Sequence, residues 1–430
     1  MSEFVYPQAL DIRPLHHPAK LTLRVPGSKS ITNRALILAA LSGDCAVTNA
    51  LRSEDTEVMV DSLQKLRYLV ETDWPVNRIS VKSTADSLKK DAELFIGNSG
   101  TSMRFLTALC SLGQGRFRLD GIARMRERPI QDLLDCLKQL NVDAVSETQS
   151  GCPPVLLNAR GLKGGHAKLN AELSSQFVSA LLMVLPFAQG DSILELEGEI
   201  VSEPYIQMTV AMLQQNGIQI DTSTSGRFGI PGNQKLNCQV IDVEPDASSA
   251  SYFFAAAAIT GGTVRVEGLN EQSLQGDIKF ADALAEMGCQ VEKDPAGITV
   301  TGGKLHGIDI DMNAISDTVM TLAVVACYAD KETEIRNVEH IRHKETDRIE
   351  AIGNELRRAG VEVEIWKEGL TIYPVEKFRA TRFNTYNDHR MAMSLALLGL
   401  RSPGMRIKNP GCVAKTYPGF WQDFEKLYTE

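Results

Sequence analysis

Val25-Pro26-Gly27-Ser28-Lys29-Ser30-Ile31-Thr32-Asn33-Arg34-Ala35-Leu36-Ile37-Leu38-Ala39-Ala40-Leu41 passes from an extended run, through a small polar cluster with a lysine, into an Ala/Leu-rich helix. Asn33–Leu41 is apolar nearly all round, which marks a helix buried on every side. The same transition recurs. Asn98-Ser99-Gly100-Thr101, Leu173-Ser174-Ser175-Gln176, Pro245-Asp246-Ala247-Ser248, Ser316-Asp317-Thr318 and Asn387-Asp388-His389-Arg390 precede Met103–Leu112, Phe177–Leu185, Ser251–Ile259, Met320–Tyr328 and Met391–Leu400. Successive starts lie roughly 70 residues apart, so six copies of one unit nearly fill the chain. Each unit is expected to begin with a short strand and to continue through a second, amphipathic helix and further strands. Ile130–Leu140, Ile278–Met287 and Asp347–Ala359 read as such second helices, ending at Asn141, Gly288 and Gly360. Val361–Ile365 and Leu370–Ile372 alternate as strands across Lys367-Glu368-Gly369.

A buried helix opened by Ser, Asp, Asn or Gly presents free N–H groups and the positive end of its dipole, a ready site for phosphate or carboxylate. These residues are also good N-caps in their own right. Lys29, Arg34, Arg104 and Arg390, at or just beyond the openings, are not needed by a cap and point to anion binding.

The global balance has the opposite sign. The 430 residues carry 45 Lys and Arg against 54 Asp and Glu, a formal net charge of −9. That argues against general nucleic-acid binding, and leaves anionic small molecules open if the cations are gathered locally. With 43% apolar and 23% charged residues the composition is that of a folded protein, not a disordered, collagenous or coiled-coil chain. The longest apolar stretches, such as Tyr252–Ile259, fall short of the ~20 residues of a membrane span. The first residues include Glu3, Asp11 and Arg13 and form no signal-peptide core, so a cytoplasmic protein is expected. The eight scattered cysteines lack a C-x-x-C pair and read as reduced thiols rather than a disulfide framework or a zinc site.

Dinucleotide, P-loop and zinc-protease fingerprints are absent, so neither cofactor nor metal is expected. The chemistry-bearing strings are Pro26–Ser30, Gly97–Arg104, Arg124–Pro129, Arg342–Arg348 and Asn387–Met393. Within them Lys344-Glu345 pairs a cation with a carboxylate beside arginines, a setting that separates pKa values for acid and base duties. His343 reads as a surface histidine, and His389 as a binding or orienting group. Asp317 reads as the cap of its helix, with no adjacent basic residue to neutralise it.

Together these strings, with SSQFVSALLM from Ser174, VSEPY from Val201 and NPGCVAKT from Asn409, resemble the enolpyruvyl transferases, and among them the shikimate 3-phosphate branch. The resemblance spans nearly the whole chain. It implies an α/β fold of two similar globular domains, each of three βαβαββ units (an inside-out α/β barrel), with the active site in the inter-domain cleft. Residues 1–26 and 245–430 would form a discontinuous domain binding mainly phosphoenolpyruvate, and 27–244 a domain binding mainly shikimate 3-phosphate. The implied reaction moves the enolpyruvyl group of phosphoenolpyruvate to the 5-hydroxyl of shikimate 3-phosphate, by addition and elimination.

Carried over by motif, Lys29, Ser30, Arg34, Ser174, Ser175, Gln176, Ser202, Tyr205, Asp317 and Lys344 would bind shikimate 3-phosphate. Lys29, Gly100, Arg128, Gln176, Arg348, Arg390 and Lys415 would bind phosphoenolpyruvate, and Glu345, Asp317 and Lys29 would be catalytic. A monomer without nucleic-acid or membrane partners is expected, its acidity spread over the outer surface around a positive interior. Three positions depart from the resemblance. Phe105 stands where many relatives have Pro, Ser99 where Ala is common, and His340 where an Asn contacts the shikimate phosphate. The rival readings are the sister branch that uses UDP-N-acetylglucosamine and a non-catalytic anion-binding relative. The sister branch carries a reactive Cys in the stretch corresponding to Gly113–Pro129, which has none here.

Overall fold

The polar clusters open helices because their own side chains cap them. Ser28, Ser99, Ser174, Asp246 and Asp388 each accept a hydrogen bond from an N–H in the first turn that follows. In the computed structural model, which describes residues 4–429, the helices are α1 (Lys29–Ser42), α2 (Glu54–Lys65), α3 (Gly100–Ser111), α4 (Gln131–Gln139), α5 (Ser175–Val184), α6 (Glu203–Gln215), α7 (Ala247–Thr260), α8 (Phe280–Glu286), α9 (Val319–Ala326), α10 (Arg348–Arg358), α11 (His389–Gly399) and α12 (Phe420–Glu425).

The odd-numbered helices are the apolar ones. Every residue of α3, α9 and α11 is buried. The second helices α4 and α10 bury one face, and Asn141, Gly288 and Gly360 follow helices with positive φ, the backbone that ends a helix. His343 is exposed, as a surface histidine should be. The sixth opening differs from expectation. Asp317 lies inside a short stretch of tight helix, Asn313–Thr318, kinked at Ile315, and Thr318 is the residue at the boundary of α9.

Five of the six sheets have four strands in one order. In Ala92–Phe95, Gln114–Asp120, Val155–Arg160 and Asp143–Ser146, read across the sheet, the first pair is parallel and the rest antiparallel. A parallel pair needs a crossover, and α3 supplies it; α4 then leads into the hairpin. The sixth sheet has three strands: Arg382–Phe383 runs parallel to Met405–Lys408, and Ala9–Ile12 from the start of the chain pairs antiparallel with the latter.

The chain makes two compact units. The split unit holds the residues up to Pro26 and those from Glu244 onward, and the continuous unit is Gly27–Val243. The strands leading into α1 and α7 are exchanged between them. Lys20–Leu23 pairs in parallel with Thr263–Glu267 in the split unit, and Val240–Asp242 with Asp44–Thr48 in the continuous unit. Two of the six repeats therefore take their first strand from a distant part of the chain, not from the run that precedes their helix. The same pairing overturns the reading of the cysteines as uniformly reduced. Cys45, in Asp44–Thr48, forms a disulfide with Cys238, just before the partner strand, with Cα atoms 5.8 Å apart. A separation of 193 residues hides this juxtaposition. The other six cysteines are free thiols, and all but Cys152 are buried.

Where the chain enters the continuous unit, Gly27 leaves no room for a side chain. A Cβ there would lie 2.0 Å from the Asn49 carbonyl oxygen and 3.2 Å from a Val243 methyl. Gly27→Ala is expected to destabilise the protein by about 1–3 kcal/mol, as overpacking against backbone does, read as a lower unfolding midpoint in urea.

Candidate active site

In the continuous unit the expected residues gather at three helix openings. Lys29 and Ser30 begin α1 and are half-buried, Ser174 caps α5 ahead of Ser175 and Gln176, and Ser202, in left-handed backbone, precedes α6 with Tyr205 in its first turn. Arg34 ties these openings together from beneath. It is 2% exposed. Its Nε donates to Thr209 Oγ1 at 2.7 Å, one Nη to Ser179 Oγ at 2.9 Å and the Tyr205 carbonyl at 3.1 Å, and the other Nη to the Ser30 carbonyl at 3.0 Å. The Phe105 ring packs 5.2 Å from the guanidinium. Burial lowers the Arg34 pKa to about 10, which leaves it charged at neutral pH. Arg34 is thus turned toward its own unit, where it fixes Ser30 and Tyr205; Thr209 and Ser179 belong to this site, and no motif announced them.

The second patch of this unit is Gly100 with two buried arginines. Arg104 donates to the Gly100 carbonyl at 3.1 Å and the Pro129 carbonyl at 2.8 Å, and Arg128 to the Asn98 carbonyl at 3.1 Å. A Cβ on Gly100 would sit 2.3 Å from Arg128 Nη2 and 2.8 Å from Arg104 Nη1, so glycine is what admits both guanidiniums. Gln176 Nε2 reaches Thr101 Oγ1 at 3.5 Å, linking α5 to this patch. Ser99 spends its hydroxyl on the cap and on Ser102 Oγ at 2.7 Å, and Phe105 continues α3 without a break.

In the split unit, Asp317, Glu345, Arg348, Arg390 and Lys415 come from four separate stretches and meet around Arg348. Arg348 Nε donates to Asp388 Oδ2 at 2.8 Å, Nη1 to Asp317 Oδ1 at 3.0 Å, and Nη2 to Glu345 Oε2 at 2.9 Å. Arg390 Nη2 donates to the other Asp317 oxygen at 2.6 Å, and Lys415 Nζ lies 3.7 Å from Glu345 Oε1. Burial opposes the charge on Arg348, and Asp388, Glu345 and Asp317 together outweigh it, so its pKa is raised. No residue adjacent to Asp317 in the chain is basic, and two arginines remote in sequence neutralise it instead. The picture of acidity confined to the outer surface is overturned, because Asp317, Glu345 and Asp388 sit inside the site. Asp388 was legible only as a helix opener, although its carboxylate both caps α11 and braces Arg348.

Lys344 is half-buried at the end of the turn Glu339–His343. His340 in that turn is 4% exposed, and burial, then Lys344, push its pKa down to about 3, so its imidazole is neutral at pH 7. His389 is fully buried, its Nδ1 3.6 Å from Asp388 Oδ1.

Comparison with known proteins fits this arrangement. The sequence model of the family described as EPSP synthase (3-phosphoshikimate 1-carboxyvinyltransferase) matches residues 16–424. A 3-phosphoshikimate 1-carboxyvinyltransferase from Nostoc punctiforme is 47% identical over 421 residues, 97% of this chain and 99% of the relative. One from Shewanella denitrificans is 45% identical over 412 residues, covering 95% and 96%. Among solved structures, an EPSP synthase from Acinetobacter baumannii matches with a TM-score of 0.80 at 26% identity, over 98% of both chains. The enolpyruvyl transferase NikO from Streptomyces tendae shares the fold, with a TM-score of 0.79 at 18% identity over 98% and 97%.

The depressed His340 pKa makes a stability prediction. Its folded value lies below its unfolded one, so between pH 6.5 and 3 the unfolded chain binds the extra proton, and acid costs stability. His340→Asn is expected to shrink the stability lost between pH 6.5 and 5 by about 1–2 kcal/mol, compared by urea unfolding of the two proteins at both pH values.

Proposed function

The chain belongs to the EPSP synthase (3-phosphoshikimate 1-carboxyvinyltransferase) family, and from that premise we propose that it transfers the enolpyruvyl group of phosphoenolpyruvate to the 5-hydroxyl of shikimate 3-phosphate, releasing phosphate, in the route to aromatic amino acids. The observation that carries the reading is Arg348 held by Asp317, Glu345 and Asp388, with Arg390 and Lys415 beside them. Guanidinium forks match carboxylate and phosphate bidentately, and the carboxylates among them are placed for proton transfer.

The split unit binds mainly phosphoenolpyruvate, through Arg348, Arg390 and Lys415; by motif, Gly100, Arg128, Gln176 and Lys29 are assigned to the same substrate. The continuous unit binds mainly shikimate 3-phosphate, at Lys29, Ser30, Ser174, Ser175, Gln176, Ser202 and Tyr205, and Asp317 and Lys344 take its ring hydroxyls. Arg34 serves that set by clamping Ser30 and Tyr205.

The 5-hydroxyl oxygen bonds to C2 of phosphoenolpyruvate while the hydroxyl gives up its proton and C3 gains one. The tetrahedral adduct then loses phosphate as C3 returns a proton and the enol double bond re-forms. Glu345 and Asp317, with Lys29, move these protons. Arg348 and Lys415 hold both Glu345 oxygens, so the carboxylate is aimed before substrate arrives, and aiming fixed dipoles and charges in advance is the largest lever an enzyme has. We read the protein as a cytoplasmic monomer that acts on small molecules; among the described residues no helix is long and apolar enough to cross a membrane.

Phosphate release from phosphoenolpyruvate is expected to depend on shikimate 3-phosphate and not on UDP-N-acetylglucosamine; release driven by the latter would move the assignment to the sister branch. Glu345→Gln is expected to lower kcat by about 10²–10⁴, the usual worth of a general acid or base, with far smaller changes in either KM. Near-normal turnover in that variant would remove Glu345 from proton transfer.

A further inference from the structure

Behind the arginine cluster of the split unit stands another buried carboxylate. Asp277 belongs to the single turn Gly276–Lys279 that leads into α8, and it is 3% exposed. The Ser248 hydroxyl, in the first turn of α7, donates to Asp277 Oδ2. Arg390 Nη2 donates to that same Ser248 oxygen at 3.4 Å, and Arg390 Nη1 lies 3.4 Å from the Tyr252 hydroxyl. Arg390 therefore stands between two acids. Asp317 is bonded to guanidiniums directly, at 3.0 and 2.6 Å, whereas Asp277 reaches Arg390 through a hydroxyl.

The placement of Asp277 is built. Gln275 accepts from the Ala247 N–H at 3.0 Å and donates to the Pro245 carbonyl at 2.6 Å, and Glu244 accepts from the Leu274 N–H at 2.9 Å, so the turn is pinned to the opening of α7. The charged and titratable groups facing Asp277 are Asp246 from the α7 side, Asp317 from the turn before α9 and Arg390 from α11; Tyr252 of α7 touches Arg390, and Lys279 and Asp282 lie on its own segment. Burial, then Asp317, raise the Asp277 pKa to about 7, against the opposing pull of Ser248 and Arg390. An anion seated on Arg390 adds negative charge to this group and, by Coulomb's law, favours the neutral acid further.

We propose that Asp277 is a positioning residue for phosphoenolpyruvate: it braces Arg390 through Ser248, and it takes up a proton from solvent as the anionic substrate binds. The inference rests on the assignment of Arg390 to phosphoenolpyruvate. Binding is then tightest when Asp277 is protonated, and KM for phosphoenolpyruvate rises as pH climbs through neutrality and beyond. If binding lifts the Asp277 pKa by one unit, the rise between pH 7 and pH 9 is about five-fold. Above pH 7 a phosphate monoester is already doubly ionised, with its second pKa near ~6, so the substrate contributes little of this.

The test is steady-state kinetics of the full-length protein from pH 7 to 9, with shikimate 3-phosphate saturating and phosphoenolpyruvate varied. Wild type and Asp277→Glu, which keeps a titrating carboxyl, are expected to show the rise. Asp277→Asn, neutral at every pH, is expected to lose the rise. Ser248→Ala removes a bond that favours the ionised acid, and is expected to move the rise to higher pH. Arg390→Lys is expected to raise KM for phosphoenolpyruvate at all pH values. An unchanged KM in Arg390→Lys overturns the assignment of the site and this inference with it. A raised KM there, together with a wild-type rise in Asp277→Asn, overturns the role of Asp277 alone. If Asp277→Asn does not fold, Ser248→Ala decides: an unshifted profile overturns the proposal.

Discussion

A guanidinium sealed from water has to be met by opposite charge, and Arg348 is met by three carboxylates. Stripping an ion of its hydration costs several kcal/mol even after the protein relaxes. That cost is bearable only if the partners are fixed and hydrogen-bonded, and each partner of Arg348 comes from a different place. Asp388 is the cap of α11, Asp317 lies in the turn before α9, and Glu345 precedes α10, whose first residue is Arg348 itself. One cation thus sets the relative positions of three helix openings in the split unit. Removing it would leave three acids crowded in a nearly dry site, which costs more than the cation's own contacts are worth. The same constraint aims Glu345, because a carboxylate with one oxygen bonded to Arg348 and the other facing Lys415 has little freedom left.

The continuous unit solves a similar problem with different groups. Arg34 is as buried as Arg348, but its partners are two hydroxyls and two carbonyls. The two arginines shift in opposite directions as a result: burial dominates Arg34 and lowers its pKa, while the carboxylates overcome burial at Arg348 and raise it. Neutral partners leave the positive potential of Arg34 uncancelled beneath Ser30 and Tyr205, which suits openings proposed to receive an anion. In the split unit the buried cations are instead already paired with the carboxylates of Asp317, Glu345 and Asp388.

What the sequence disclosed and what it concealed follow the reach of each interaction. Capping bonds span two or three residues, so Ser28, Ser99, Ser174, Asp246 and Asp388 could be read as helix openers from local pattern, and the apolar helices behind them likewise. The site residues were legible through resemblance, not through spacing: nothing local to Asp317 says that two arginines will neutralise it, since both lie on other helices. The exchanged strands and the Cys45–Cys238 pair were hidden for the same reason, because β-pairing carries no signature of its partner's position in the chain. Thr209, Ser179, Ser248 and Asp277 were silent for another reason. They are small or acidic residues that act on an arginine rather than on a ligand, and no short motif encodes that.

An acidic protein that binds two anions then poses no electrostatic paradox. The net charge of −9 counts Asp317, Glu345 and Asp388 as acids, yet in the site each is matched to a guanidinium or ammonium before any ligand arrives. The desolvation of Arg348 and Arg390 was completed when the chain folded. On the proposed reading, an incoming carboxylate or phosphate meets cations that are already dehydrated and fixed in place, so that part of the cost of burying an ion pair does not fall on binding. In the proposed reaction Glu345 keeps Arg348 and Lys415 as its partners, so the carboxylate stays aimed for proton transfer and is not set loose by the arriving anion.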